Sequence, residues 1–297
     1  MRIAIVGTMT STVGRAETLS HDSDTARHNT HTVSTAHEAA YRLADPIPNV
    51  ISVPFQLNYD RGYGKDGEGR RYTGKVQPVV PIKLSEKYVY YVRTVIPYEW
   101  KSNGNGDGYD VDGFGVPLIE TLLSWRGGCQ IRSRPVHLIE TFLSNTVVER
   151  NEFRIGPFIS PPALSGSRFG TQQTGGGVSW LGIMRPDDWA IGMLGYQSFA
   201  IGGSDAGGTA TSTYLQPFIS YITKDAWTYS VNIEATTYWN PTSTSLPLNF
   251  TLNRAIMIGD LPISLAIGGR YYLASSDDGA SGFGGRLQVT FVLPRWS

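Results

Sequence analysis

The chain has 297 residues, no formal net charge and a single cysteine, Cys129. That length admits one large barrel or two ordinary domains, the neutral balance leaves no electrostatic footprint for nucleic acid, and one cysteine excludes an internal disulfide or a cysteine-built metal cluster. Charged residues make up 17% of the chain, below the roughly 25% of soluble domains, and no apolar run approaches the ~18 residues of a transmembrane helix. Membrane-spanning strands stay open, because they leave a far weaker hydropathy signal.

Residues 1–42 are read as a weak export signal, an unstructured tail, or both. Arg2 precedes a short, diluted apolar run over Ile3–Val13, and Arg15 sits badly for cleavage at Ala16. The stretch that follows is rich in Ser, Thr, His and Asp and has too little apolar surface to order itself. Its histidines, His21, His28, His31 and His37, have no carboxylate or cysteine arranged with them, so no metal site and no cofactor is expected.

Residues 43–297 are read as one antiparallel β-barrel. Ile51–Tyr59 alternates, with Val53, Phe55 and Leu57 on one face and Ser52, Gln56 and Asn58 on the other. A polar loop follows over residues 60–72, then strands over Lys75–Leu84 and Tyr88–Tyr98 joined by a tight turn. Prolines 54, 78, 81 and 97 argue against an uninterrupted ladder here. Another Gly/Asn/Asp loop covers 99–113. Val116–Ser124 and Val136–Ser144 are near copies (LIET in each) that read as strands or short helices.

The strand pattern resumes over Glu152–Ser160, Gly177–Arg185 and Trp189–Ile201. Tyr214–Trp239 is the clearest hairpin. From Trp227 its second arm places Tyr229, Val231, Ile233 and Trp239 on one face, and Asn232 and Glu234 on the other. An arm of about 13 residues exceeds the roughly 9–11 that a tilted strand needs to cross a bilayer. Taken alone, the hairpin also fits a soluble sheet with one buried face. Leu248–Ile258, Ile263–Leu273 and Phe283–Leu293 complete about 13 candidate strands, and an even number near 12 is expected if one LIET copy is not a strand.

Three features together favour the membrane. Tight turns near residues 85, 187, 225 and 260 alternate with long connections at 60–72, 99–113, 202–211, 240–247 and 274–282. Aromatic residues follow three of the tight turns, Tyr88, Trp189 and Trp227, and Trp239 closes the opposite end of its strand. The faces opposite the apolar ones carry Gln56, Lys75, Gln77, Lys83, Arg93, Arg154, Gln216, Asn232, Glu234, Arg270, Arg286 and Gln288. Such residues suit a wet interior, and their basic excess would favour anions in a pore. They would equally fill a narrow barrel that conducts nothing, through internal pairs of the arginines with Glu234.

The segments LADPIPNVISVPFQLNYDRG, KVQPVVPIKLSEKYVYYVRTVIP and YLQPFISYITKDAWTYSVNIEATTYW resemble the uncharacterised Gram-negative outer-membrane "transporter" barrels, a family often mislabelled neuromedin U and close to the meta-pathway phenol-degradation barrels. The resemblance spans residues 43–98 and 150–293, and its specific marks are Gln77–Pro78 and Gln216–Pro217 at strand openings. Residues 115–145 depart from the family pattern, and so does the carboxyl end: such barrels usually close on an aromatic residue, whereas here Pro294–Ser297 follow Leu293 and only Trp296 is near the end. The resemblance implies a bacterial outer-membrane location, outer-membrane lipid and the barrel-assembly machinery as partners, and passive passage of small solutes without catalysis. It transfers no catalytic residue. A competing class is an outer-membrane lipid hydrolase built on His137 with Ser133, Ser144 or Asn145. A closed structural barrel is a third.

Overall fold

The computed structural model describes residues 36–64, 66–102, 110–125, 151–204, 206–240, 242–259, 261–276 and 278–293. Twelve antiparallel strands close into a barrel. They are β1 (Ile51–Tyr63), β2 (Gly69–Val76 continued by Val79–Lys83), β3 (Tyr88–Ser102), β4 (Val111–Phe114 continued by Leu118–Trp125), β5 (Glu152–Ser160) and β6 (Gln172–Met184). The second half holds β7 (Trp189–Ser204), β8 (Ser212–Ile222), β9 (Trp227–Ile233 continued by Ala235–Trp239), β10 (Thr242–Ser245 continued by Pro247–Ile258), β11 (Leu261–Tyr272) and β12 (Gly282–Leu293).

The prolines read as obstacles interrupt strands without ending them. Pro78 divides β2, yet the Gln77 N–H still donates to Pro54 O and the Thr94 N–H to Pro78 O. Proline can sit there because it is asked only to accept. Each strand pairs with the next in sequence, and β1 closes on β12 from Ile51↔Leu293 to Tyr59↔Gly285.

Alternation sets the two faces. On β1, Gln56, Asn58 and Asp60 are buried within the barrel, while Phe55 and Leu57 are 46% and 40% exposed on its outside. The same outward apolar exposure recurs at Ile155, Ile219, Phe250, Ile267 and Leu287. An apolar outer band around a polar interior inverts the arrangement of a soluble protein, and it is the arrangement that hydrocarbon stabilises.

β6 shows how tightly adjacent strands approach. The Phe158 ring of β5 lies over Gly177, and a Cβ at that glycine would collide with the Gln197 carbonyl of β7. The glycines at 175–177 therefore sit within β6. Gly177→Val should destabilise the folded barrel by about 1–3 kcal/mol, the usual range for overpacking, in urea titrations of vesicle-folded protein. An unchanged midpoint would show that the strands can part freely here.

Three expectations need correction, and one open alternative is resolved. Residues 240–247 are not a long loop: Thr242–Ser245 pair with Thr236–Trp239. The loops at 60–72 and 99–113 shrink, because β1 to β4 extend further than their apolar alternation does. The first LIET copy is a strand in β4, and the second lies outside the described residues. The tail gives way before residue 42, since residues 36–43 are helical. Ala36, Ala39 and Ala40 of that helix are buried against Val89, Tyr91, Ile183, Leu194 and Ile222. These are inward residues beside the tight turns. An all-alanine face at helical spacing is slender enough to enter the barrel.

Candidate functional site: a lumen with a floor

The lumen holds a cavity of about 890 Å³. Its floor is the segment after the helix, through Ala44, Asp45, Pro46 and Pro48, at the tight-turn end. Its mouth lies among the loop residues 207–210, 275–276 and 278–280.

Asp45 anchors the floor. Its carboxylate pairs with Arg154 at 2.7 Å and with Arg185 at 2.6 Å, and it also accepts from the Ile47 N–H at 2.8 Å. Arg154 is fully buried, donates to the Ile47 carbonyl and pairs with Glu152 at 2.8 Å. The Tyr91 ring lies 4.2 Å from its guanidinium. Glu152 in turn accepts from Ser124 at 2.6 Å. Two arginines and two carboxylates thus neutralise one another out of water, the one arrangement in which buried charge is tolerable.

Above the floor the wall is asymmetric. On β11, β12, β1, β2 and β3 it is ionic. Arg71 and Arg270 both reach Asp60, at 3.1 and 3.3 Å, and Arg270 and Arg286 both reach Glu234, at 3.6 and 2.8 Å. Arg286 also donates to Asn58 at 2.8 Å. Arg93 pairs with Glu120 at 3.0 Å and donates to Gln77 at 3.0 Å, while Glu120 also accepts from Ser179. The wall across from these strands carries hydroxyls and rings, with Tyr196 and Tyr214 stacked at 4.8 Å and 15°. Asn232 and Asn249 bond to each other at 2.9 Å beside it.

Among the residues expected in the interior, Gln56, Lys75, Gln77, Arg93, Gln216, Asn232, Glu234, Arg270, Arg286 and Gln288 line this cavity. Two do not. Lys83 has inward parity but stands at the rim, with its ammonium on Glu86 of the tight turn. Arg154 lies below the cavity in the floor anchor. Asp45, Asp60 and Arg71 were not anticipated, because the first precedes the first strand and the other two fell within a segment read as loop. Glu120 was hidden in a strand of poor alternation.

The aromatic residues near the turns find ring or cation partners: Tyr88 with Trp125 at 6.3 Å, Trp189 with Tyr221 at 4.8 Å, and Trp227 under Arg254 at 4.7 Å. Trp239, at the far end of β9, donates its indole N–H to Thr213. His137, Ser133, Ser144 and Asn145 lie outside the described residues.

With this geometry in hand, the comparison with solved structures is decisive for the fold. An outer membrane channel from Pseudomonas putida F1 superposes with a TM-score of 0.59 over 84% of this chain and 98% of its own, at 12% identity. The chain folds as an outer-membrane β-barrel. Lower similarity is found to the outer membrane phospholipase A of Escherichia coli (TM-score 0.46, 11% identity, 84% of this chain and 99% of that one). The KdgM porin in complex with disordered oligogalacturonate gives a TM-score of 0.42 at 8% identity over 82% of this chain and 100% of that one. No protein-family model and no curated protein matches the sequence. At these identities the likeness is one of fold.

Proposed function

We propose that this barrel is a non-enzymatic channel of the bacterial outer membrane, passing small hydrophilic solutes passively and preferring anions. The observation that carries the reading is the ionic wall of the cavity, where five cations on four strands, Arg71 and Lys75 of β2, Arg93 of β3, Arg270 of β11 and Arg286 of β12, face the lumen. A low-dielectric wall of one predominant sign concentrates the opposite sign of solute. The resemblance seen in the sequence points the same way. The floor narrows the tight-turn end, so conduction is expected as discrete openings rather than one permanently open level.

The test is planar-bilayer recording of refolded protein whose mobility on gels is heat-modifiable. Discrete steps with a reversal potential displaced toward chloride in a KCl gradient are expected. Folded protein that inserts and never conducts would replace this reading with a closed structural barrel, which the floor specifically favours as the second reading. Cation preference would overturn the charge argument alone.

A further inference from the structure

The ionic wall is more than a lining of one sign. Arg71, Arg270 and Arg286 share two carboxylates, Asp60 and Glu234. Lys75, on β2, stands among the same group: Arg71, Arg270, Arg286 and Glu234 are the charges around it. It lines the cavity and makes no salt bridge among the described residues. Two further carboxylates beside that wall are taken, Glu99 by Lys101 at 2.9 Å and Glu120 by Arg93 at 3.0 Å. Four cations therefore face two carboxylates, leaving an excess of two positive charges in one place.

Hydrogen bonding is also incomplete there. The Nε–H groups of Arg71 and Arg270 are buried and have no acceptor among the described residues, although Arg270 is only 6% exposed. A buried guanidinium donor without an acceptor is costly. A set of forked donors beside a free ammonium is the arrangement that recognises oxyanions. Gln56 and Gln288 border the group, adding neutral amides that can orient a bound molecule without adding charge.

We infer that Arg71, Lys75, Arg270 and Arg286 form a saturable binding site for a small doubly charged oxyanion, a dicarboxylate or hydrogenphosphate. The charge count sets the class. A monoanion leaves the site one positive charge in excess, and a neutral polyol leaves both. The site deepens the channel reading and rests on it for the route of entry, while binding itself needs no flux. A solute held here would be selected by occupancy and not by size alone.

Binding is tested by isothermal titration calorimetry on folded protein in detergent, with succinate, inorganic phosphate, acetate and maltose as separate probes. Either or both dianions should bind, with acetate at least about tenfold weaker and maltose silent. Which dianion binds separates a dicarboxylate from a phosphate site. Lys75→Gln should weaken dianion binding about tenfold, Lys75→Arg should restore it, and Lys83→Gln at the rim should change nothing. Because Lys75 holds no carboxylate in place, its neutralisation breaks no pair, and heat-modifiable mobility checks that the variant folds. Acetate binding as tightly as the dianions, no binding at all, or an unchanged Lys75→Gln would each overturn the inference. Dianion binding by a protein that never conducts would leave the site standing and remove the channel.

Discussion

Arg154→Ala is expected to lower the stability of the barrel by about 3–5 kcal/mol, the usual cost of stranding a buried partner charge. The guanidinium is fully buried and serves Asp45, Glu152 and the Ile47 carbonyl at once, with the Tyr91 ring against it. Its loss leaves Asp45 to Arg185 and the Ile47 N–H, and Glu152 to Ser124, Tyr91 and a longer 3.8 Å approach from Arg185. The floor should loosen too, so surviving protein should conduct at a higher level or for longer. Arg185→Ala should cost less, because that side chain is 14% exposed and water can replace part of what it supplies. Urea titration in vesicles with tryptophan emission as readout gives the first quantity, and planar-bilayer recording gives the second. A loss below ~1 kcal/mol with unchanged conductance would mean that the anchor does not hold the floor.

The second large effect is on the outside. Ile267→Arg should destabilise the inserted barrel by about 2–4 kcal/mol, the cost of a lipid-facing arginine near the bilayer midplane. Ile267 is 61% exposed and lies between Leu252 and Leu287 on the neighbouring strands. Tyr271 and Phe283, 4.8 Å apart, lie toward the far end of these strands, and the turn at 259 lies at the near end. The preceding residue, Ala266, faces the cavity, and Ala266→Ser there should change stability by no more than ~0.5 kcal/mol. One-residue spacing with opposite outcomes is the signature of a sheet with hydrocarbon on one side and water on the other. Equal tolerance at both positions would be incompatible with this seating in the membrane.

How much of this could be read in advance differs from element to element. β9 was legible in full, because its alternation runs from Trp227 to Trp239, and the short break at Glu234 does not change which side Glu234 and Thr236 face. Lys75 and Arg286 were assigned inward for the same reason. Arg71 was missed because the outer ends of β1 and β2 carry Gly, Arg and Tyr with no apolar alternation, so they read as loop. Their pairing across the ladder, Asp60↔Arg71, makes them strand. Lys83 shows the converse error: parity was right, but height along the strand placed it at the rim beside Glu86.

What the sequence by itself determined is which side each residue of a well-patterned strand faces, and hence a barrel apolar outside and polar within. Side-chain parity is a local property, repeated every two residues and independent of what the strand meets. What only the tertiary structure decided is the floor and the sharing of charge above it. Asp45 and Arg154 are 109 residues apart, and Arg286 and Asn58 are 228 apart. Nothing local marks either pair. They meet because closure of β1 on β12 wraps the wall round one axis and draws the amino-terminal helix inside it, where every buried charge must find a partner that the barrel has already placed.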